Sequence, residues 1–86
     1  MKHHHHPALI ARLRRAEGHL RSVITMLENE RPCLDIAQQM HAVEAAIANA
    51  KRELIHDHIE HCLEAGEGGA ARRDVLAELK TLSKFL

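Results

Sequence analysis

The sequence predicts an all-α protein with three helices per chain, and three observations support this fold class. Apolar residues make up 45% of the chain, yet Phe85 is its only aromatic residue, which is typical of helices packed through Ala, Leu and Ile. No segment has the pattern of a strand, and proline occurs only twice. The stretch from Cys33 to Cys62 contains no Gly or Pro, which indicates one long helix.

The first element is a flexible His-rich arm, residues 1–7, and the first helix is predicted at about residues 8–29. Histidines fill positions 3–6, and they are interpreted as either a remnant of a purification tag or a native metal-attracting arm. In the helix, apolar residues recur mostly at steps of three and four: Leu9, Leu13, Ala16, Leu20, Val23, Ile24 and Leu27. Gly18 interrupts this pattern, which indicates either close packing of backbones or simple tolerance.

The second helix is predicted at about residues 33–64 and the third at about residues 71–86. Pro32 ends the first connection, and three glycines within residues 65–69 mark the second. Helix two carries an apolar stripe that approaches a heptad repeat: Ile36, Met40, Val43, Ile47, Ala50, Leu54 and Ile59. Alanines lie beside this stripe, so we expect helix two to have neighbours on two faces. Together the helices are predicted to form a single domain over residues 8–86.

Length and charge limit the functional class. A chain of 86 residues buries a modest fraction of its surface alone, so oligomerisation is an expected source of stability. No apolar run approaches about eighteen residues and no secretory segment is present, so the cytoplasm is predicted and a membrane partner is not. The two cysteines are therefore expected to be reduced thiols. The net charge is zero, but residues 1–31 are basic and residues 32–64 acidic.

The end of helix two carries a candidate metal site. His58 and Cys62 are four residues apart, so an imidazole and a thiolate share one face of the helix. A rise of about 1.5 Å per residue puts Cys33 roughly 37 Å from His58, too far for one chain to join them at one metal. If helix two pairs antiparallel with a copy of itself, Cys33 of one chain lies beside this pair in the other. His56 and His61 are expected to face solvent.

The type of donor limits the metal. Two thiolates and one imidazole form a soft set that suits Cu(I), whereas Zn(II), Ni(II) or Co(II) would want a fourth donor. The His3–His6 arm or the amino terminus could supply that donor. A single cysteine is more often a small buried apolar residue than a ligand, so a purely structural role of the thiols stays open.

Basic side chains on helices one and two form a candidate DNA surface. They are Arg12, Arg14, Arg15, Lys51 and Arg52. Arginines on an outer helix face are usually plain solvation, but an oligomer would multiply them into a surface able to contact phosphates. No nucleophile with a base and oxyanion hole is recognisable, so neither catalysis nor an organic small-molecule substrate is predicted.

These residues resemble the CsoR/RcnR family of bacterial metal- and stress-sensing transcriptional repressors. The resemblance covers Arg12 to Phe85 and is carried by RLRRAEGHL (12–20), PCLDIAQQMHAV (32–43) and HDHIEHC (56–62). The family's sensing motif is a Cys at the start of helix two and a His-x-x-x-Cys or His-x-x-x-His near its end. This chain has Cys33, His58 and Cys62 there, as in the Cu(I)-sensing branch.

Other branches of the family fit less well. A nickel/cobalt branch would have His in place of Cys62 and adds a histidine near the amino terminus, which His3 could imitate. A formaldehyde-sensing branch has proline at position two, where this chain has Lys2. Persulfide sensors lack the histidine that stands here as His58.

The resemblance implies an antiparallel dimer that forms a four-helix bundle, two of which join as a tetramer with a metal site shared across each dimer. It also implies binding to operator DNA when metal-free and release on metal binding. Glu78 matches an outer-shell glutamate of copper sensors, and Arg12 matches a DNA-contacting arginine. Two positions depart from the family. Pro32 stands where the family often has a tyrosine, and Asn49 stands where some members have a DNA-contacting arginine. Lys51 and Arg52 are expected to substitute for that arginine.

The sequence thus predicts a Cu(I)-responsive repressor of metal efflux genes that acts on operator DNA as a homo-oligomer. Three alternatives remain at this stage. The inducer could be Ni(II), Co(II) or Zn(II) bound with help from the His arm. The chain could be a metal-buffering helical protein without DNA binding, or a structural helical oligomer. In the structural helical oligomer, the cysteines would serve only as packing residues.

Overall fold

The computed structural model describes residues 6–64 and 69–86, and the regular secondary structure within them is entirely helical. Its elements are α1 (Pro7–Glu28), α2 (Cys33–Glu64), α3 (Gly69–Leu82) and a short 3-10 helix (Ser83–Phe85). Side chains are described for residues 6–62 and 72–86. The predicted all-α class with three helices is confirmed. Most of the predicted arm and of the second connection lies outside the described residues.

α1 begins at Pro7, where a missing backbone N–H leaves no hydrogen bond unmade. Its buried side chains are Leu9, Ala16 and Val23, which follow one another at intervals of seven residues. Gly18 belongs to the other side of this helix. A Cβ added at Gly18 would meet no atom within 4 Å, so packing within one chain does not require glycine there.

α1 ends in a tight turn built around a left-handed residue. Glu30 has a φ of 53°, a region in which L-residues other than Gly are strained. The N–H of Glu30 donates to the carbonyl of Leu27 at 3.1 Å, and the N–H of Arg31 donates to that of Met26 at 3.0 Å. This pair of bonds is the Schellman motif, which satisfies the last carbonyls of the helix.

α2 is a single helix of 32 residues that begins at Cys33. The carbonyl of Pro32 accepts the N–H of Ile36 at 3.1 Å, so the residue before the helix already takes part in its hydrogen bonding. Asp35 lies in the first turn and His61 in the last, which places a carboxylate and an imidazole where the helix dipole favours each charge sign.

The chain divides into two compact units, Met1–Ala50 and Lys51–Leu86. The core of the first unit is formed by Val23 of α1 with Ile36 and Val43 of α2, and Met26 packs against it. The predicted apolar stripe of α2 is split by this packing. Its buried residues are Ile36, Val43 and Ala50, whereas Met40, Ile47 and Leu54 are exposed.

The second unit contains the end of α2 and all of α3. Ile55 is buried here, although the sequence pattern favoured Leu54, which is exposed. Ile55 is five residues after Ala50, so the seven-residue spacing of Ile36, Val43 and Ala50 does not continue to the buried residue of the second unit. Within α3, Val75, Leu79 and Leu82 are half-buried. No helix in the described parts of the chain is long and apolar enough to cross a membrane.

Candidate metal centre and basic surface

His58 and Cys62 meet on one face near the end of α2, as the sequence predicts. Their side chains are one helical turn apart, and Sγ of Cys62 lies 3.6 Å from Nε2 of His58. Both residues are half-buried, and Cys62 is a free thiol. The regular i, i+4 spacing of α2 therefore holds a soft sulfur donor and an imidazole side by side.

Glu78 of α3 holds the imidazole of His58. Its Oε1 lies 2.7 Å from Nε2 of His58, whose side chain is 21% exposed against 51% for Glu78. A carboxylate oxygen accepts, so Nε2 carries the proton and donates it. In a neutral imidazole the lone pair then lies on Nδ1, which leaves Nδ1 as the nitrogen available to a ligand.

Cys33 is separate from this cluster within one chain. It is the first residue of α2, it is exposed, and its thiol is free. The other two predicted ligands belong to the last turns of the same helix, so Cys33 and the His58–Cys62 pair stand at its opposite ends. Within the described parts of the chain, no three His, Cys, Asp or Glu side chains are grouped to hold a metal. The possible extra ligand His3 lies outside the described residues.

The two remaining histidines of this segment differ in exposure. His56 is exposed, as expected. His61 is half-buried and takes part in an interaction of its own, so its predicted exposure to solvent is only partial. One chain therefore offers a thiol and an imidazole to a soft metal, with a carboxylate that orients the imidazole.

The predicted DNA-contacting side chains are mostly exposed. Arg14 and Arg15 of α1 are exposed, while Arg12 is half-buried and has a partner. Arg12 and Arg15 are three residues apart and share one side of α1, whereas Arg14 lies on another. Lys51 and Arg52 are exposed near the middle of α2.

Arg21, which also belongs to α1, is partly neutralised. Its Nη2 lies 3.8 Å from Oε1 of Glu17, and both side chains are about 70% exposed. Such exposed pairs contribute little to stability. They do reduce the charge that the end of α1 presents, so the positive charge of α1 is concentrated around Arg14 and Arg15.

One polar contact was not predicted from the sequence. Nε2 of His19 in α1 lies 2.6 Å from Oε1 of Gln39 in α2. The two residues are twenty positions apart, and nothing in the local pattern of either helix pairs them. The only available signal is that His19 follows Arg15 by one helical turn and so continues the basic side of α1.

The chain is similar to known metal-responsive repressors. Residues 5–86 match the family model described as metal-sensitive transcriptional repressor. The chain is 39% identical over 77 residues to the copper-sensing transcriptional repressor CsoR of Bacillus subtilis, covering 85% of this chain and 76% of that protein. It is 36% identical over 77 residues to CsoR of Mycobacterium ulcerans, covering 85% of this chain and 66% of the relative.

A solved structure extends the likeness to the fold. The nickel-responsive transcriptional regulator InrS superposes on this chain with a TM-score of 0.82 at 36% sequence identity. The superposition covers 100% of this chain and 98% of InrS. The relatives thus include proteins named for copper and one named for nickel.

Proposed function

This chain belongs to the metal-sensitive transcriptional repressors, the CsoR/RcnR family, and on that premise we propose that it binds operator DNA when metal-free and releases it on binding Cu(I). Release would permit transcription of metal efflux genes in the cytoplasm. The single observation that carries the choice of metal is the His58–Cys62 pair with Glu78 on the imidazole. Membership of a family of repressors confirms that the chain is not an enzyme.

The proposed ligands are Cys33 of one chain with His58 and Cys62 of a second chain. Support for a second chain comes from Met40, Ile47 and Leu54, which form an exposed apolar line at intervals of seven residues. Cys33 stands seven residues before Met40 on the same line. A copy of α2 packed on this line would remove the apolar side chains from water.

The register of this line fits a shared site. If two copies of α2 cross antiparallel at Ile47, residues equally far before and after Ile47 lie opposite each other. Cys33 is fourteen residues before Ile47, and His58 and Cys62 are eleven and fifteen residues after it. The thiol of one chain would therefore lie opposite the turn that carries the other two ligands, and the symmetry would form two such sites.

The donor set favours Cu(I) over harder ions. Two thiolates and one imidazole are soft donors, and three of them are enough for Cu(I), while Zn(II) prefers four. Bound Cu(I) would supply a bond that links the end of one α2 to the start of its partner. Because Nε2 of His58 donates to Glu78, the lone pair of the neutral ring lies on Nδ1, which is the nitrogen that would bind the metal.

The same contact offers a route from the metal to the DNA surface. Glu78 belongs to α3, so a change at His58 is felt directly by a second helix. Arg12, Arg14, Arg15, Lys51 and Arg52 are the proposed phosphate contacts. Linkage requires that a metal which weakens DNA binding must itself bind less tightly to the DNA-bound protein, by about 1–3 kcal/mol on the usual scale.

Titration of the protein–DNA complex with Cu(I) tests the proposal. We expect Cu(I) to dissociate the complex for the wild type and for His56→Ala, which removes an exposed histidine outside the ligand set. Cys33→Ala and His58→Ala should still bind DNA but should not respond to Cu(I). The readout is fluorescence anisotropy of labelled promoter duplex. Release of DNA by Cu(I) from Cys33→Ala protein would reject the shared site.

A second candidate inducer is Ni(II), because the structural relative InrS is nickel-responsive. Ni(II), Co(II) or Zn(II) would need a fourth donor, for which His3 is the candidate. Deleting residues 1–6 distinguishes Cu(I) from Ni(II) as the inducer. If Cu(I) is the inducer, the truncated protein should keep its metal selectivity and its release of DNA; loss of a response to Ni(II) on truncation would favour the second candidate.

A further inference from the structure

The contact between His19 and Gln39 fixes the state of the His19 ring. Both residues belong to the first compact unit, and Nε2 of His19 lies 2.6 Å from Oε1 of Gln39. An amide oxygen can only accept, so Nε2 must carry a proton and donate it. When the ring is neutral, Nδ1 therefore holds the lone pair and cannot donate.

His19 continues the basic side of α1. It follows Arg15 by four residues and Arg12 by seven, and residues at these spacings share one helix side. Arg15 is exposed, and no ion pair is found for it among the described side chains, those of residues 6–62 and 72–86. This contrasts with Arg21, which is paired with Glu17. Arg12, Arg15 and His19 therefore form one basic side of α1 that suits a polyanion.

We propose that His19 is a pH-dependent phosphate contact of the DNA-binding surface, and that Gln39 orients its ring for this task. The inference rests on the proposed DNA-binding function and adds a residue and a mode of regulation to it. Protonated His19 donates from Nδ1 to a phosphate oxygen while Nε2 stays on Gln39. Neutral His19 presents the Nδ1 lone pair to the phosphate, and the two acceptors repel each other.

The charged neighbours of His19 come from both packed helices. On α1 they are Arg12 and Arg15, seven and four residues before His19 on the same side of the helix. On α2 the carboxylate nearest in sequence to Gln39 is that of Asp35, one helical turn away and half-buried. A bound phosphate adds a negative charge beside Nδ1. DNA affinity therefore rises as the pH falls through the range in which imidazoles titrate.

The test measures binding to a fluorescein-labelled duplex of mixed sequence, about 40 base pairs long, by anisotropy at several salt concentrations. A chelator and a reductant keep the protein metal-free and its thiols reduced. Lowering the pH from about 8 to about 6 should tighten binding by the wild type. It should also steepen the plot of log K against log salt by about 0.9 for each His19 that gains a phosphate.

Matched variants separate His19 from the other histidines. His19→Gln should bind at pH 8 like the wild type but lose the additional salt dependence at pH 6. His41→Gln removes an exposed histidine of α2 and should keep it. Circular dichroism at each pH verifies that the helices are intact. An undiminished pH effect in His19→Gln protein would overturn the proposal.

Substitution of Gln39 provides an independent test that leaves His19 in place. Gln39→Ala releases the ring, which can then turn and donate from Nε2 when neutral, so binding should depend less on pH. Gln38→Ala, at the neighbouring exposed position, should behave as the wild type. Wild-type behaviour of Gln39→Ala would reject the orienting role. Absence of any salt-dependent binding by the wild type at either pH would instead reject the DNA-binding function itself.

Discussion

At the scale of single residues, His58 connects most of the candidate site. Its ring is mostly covered, it lies beside the Cys62 thiol, and its Nε2 is engaged by Glu78. A half-buried imidazole without a partner would be costly, so the carboxylate stabilises the ring in the absence of metal. The same hydrogen bond from Nε2 to Glu78 leaves Nδ1 of the neutral His58 ring free to bind a ligand. One hydrogen bond thus serves both the metal-free structure and the proposed ligand role.

Glu78→Ala should weaken Cu(I) binding without removing a ligand. The ring of His58 would lose its fixed orientation, and Nε2–H would lose an acceptor that makes the imidazole a better donor. Loss of such an outer contact typically lowers metal affinity about 10–100-fold. Competition with a colorimetric Cu(I) chelator measures this change.

Asp74→Ala is the matched control for this prediction. Asp74 is an exposed carboxylate one turn before Glu78 on α3, so its removal alters the charge of the helix to the same extent. We expect its Cu(I) affinity to stay at the wild-type value. Equal losses for the two variants would show that charge, rather than the contact with His58, is responsible.

The sequence predicted the His58–Cys62 pair from physics alone, because a helix makes i, i+4 neighbours wherever it forms. Glu78 was identified by resemblance, since no local rule links position 78 to position 58. The hydrogen bond from His19 to Gln39 could not be predicted from the sequence for the same reason. It depends on how two helices pack, and side chains twenty residues apart meet only through that packing.

At the scale of elements, the turn between α1 and α2 combines a well-formed motif with an unfavourable residue. Both Schellman hydrogen bonds are present, but the left-handed position is occupied by Glu30 instead of Gly. The sequence located this break through Pro32 but gave no indication of its geometry, because glutamate is not a left-handed residue by preference.

The sequence also did not indicate where α3 ends. Oγ of Ser83 donates to the carbonyl of Lys80 at 2.6 Å, where the α-helix gives way to a 3-10 turn.

Glu30→Gly should stabilise the protein. A left-handed L-residue costs about 1–2 kcal/mol, and the greater entropy of unfolded glycine offsets about 0.5–1 kcal/mol of the gain. The free energy of unfolding in urea should therefore rise by about 0.5–1 kcal/mol. Asn29→Gly is the neighbouring control: Asn29 has a φ of −91°, so glycine there relieves no strain and should destabilise the fold. A loss of stability in Glu30→Gly would contradict the left-handed assignment.

At the scale of the whole molecule, α2 contributes to both compact units and still presents an uncovered apolar line. Val43 and its neighbours at intervals of seven residues are buried in the first unit, and Ile55 is buried in the second. Met40, Ile47 and Leu54 are left exposed. The sequence predicted that α2 needs neighbours on two faces, but it did not separate the line covered within the chain from the line left for a partner. That division depends on where α1 packs.

Ile47→Glu should therefore prevent self-association and, with it, high-affinity Cu(I) binding. Ile47 is 47% exposed at the centre of the proposed antiparallel contact, so the variant would place two carboxylates against each other in an apolar seam. Leu34→Glu is the control, since Leu34 is 68% exposed and lies about 140° around α2 from Ile47. Light scattering measures the mass of each variant, and chelator competition measures its Cu(I) affinity.

The two readouts must change together if Cys33 and the His58–Cys62 pair come from different chains. We expect Ile47→Glu to be a helical monomer whose Cu(I) affinity matches that of Cys33→Ala, because in both proteins the pair has lost the same third ligand. Leu34→Glu should keep the wild-type mass and affinity. A monomeric Ile47→Glu protein with wild-type Cu(I) affinity would mean that a single chain supplies the complete site.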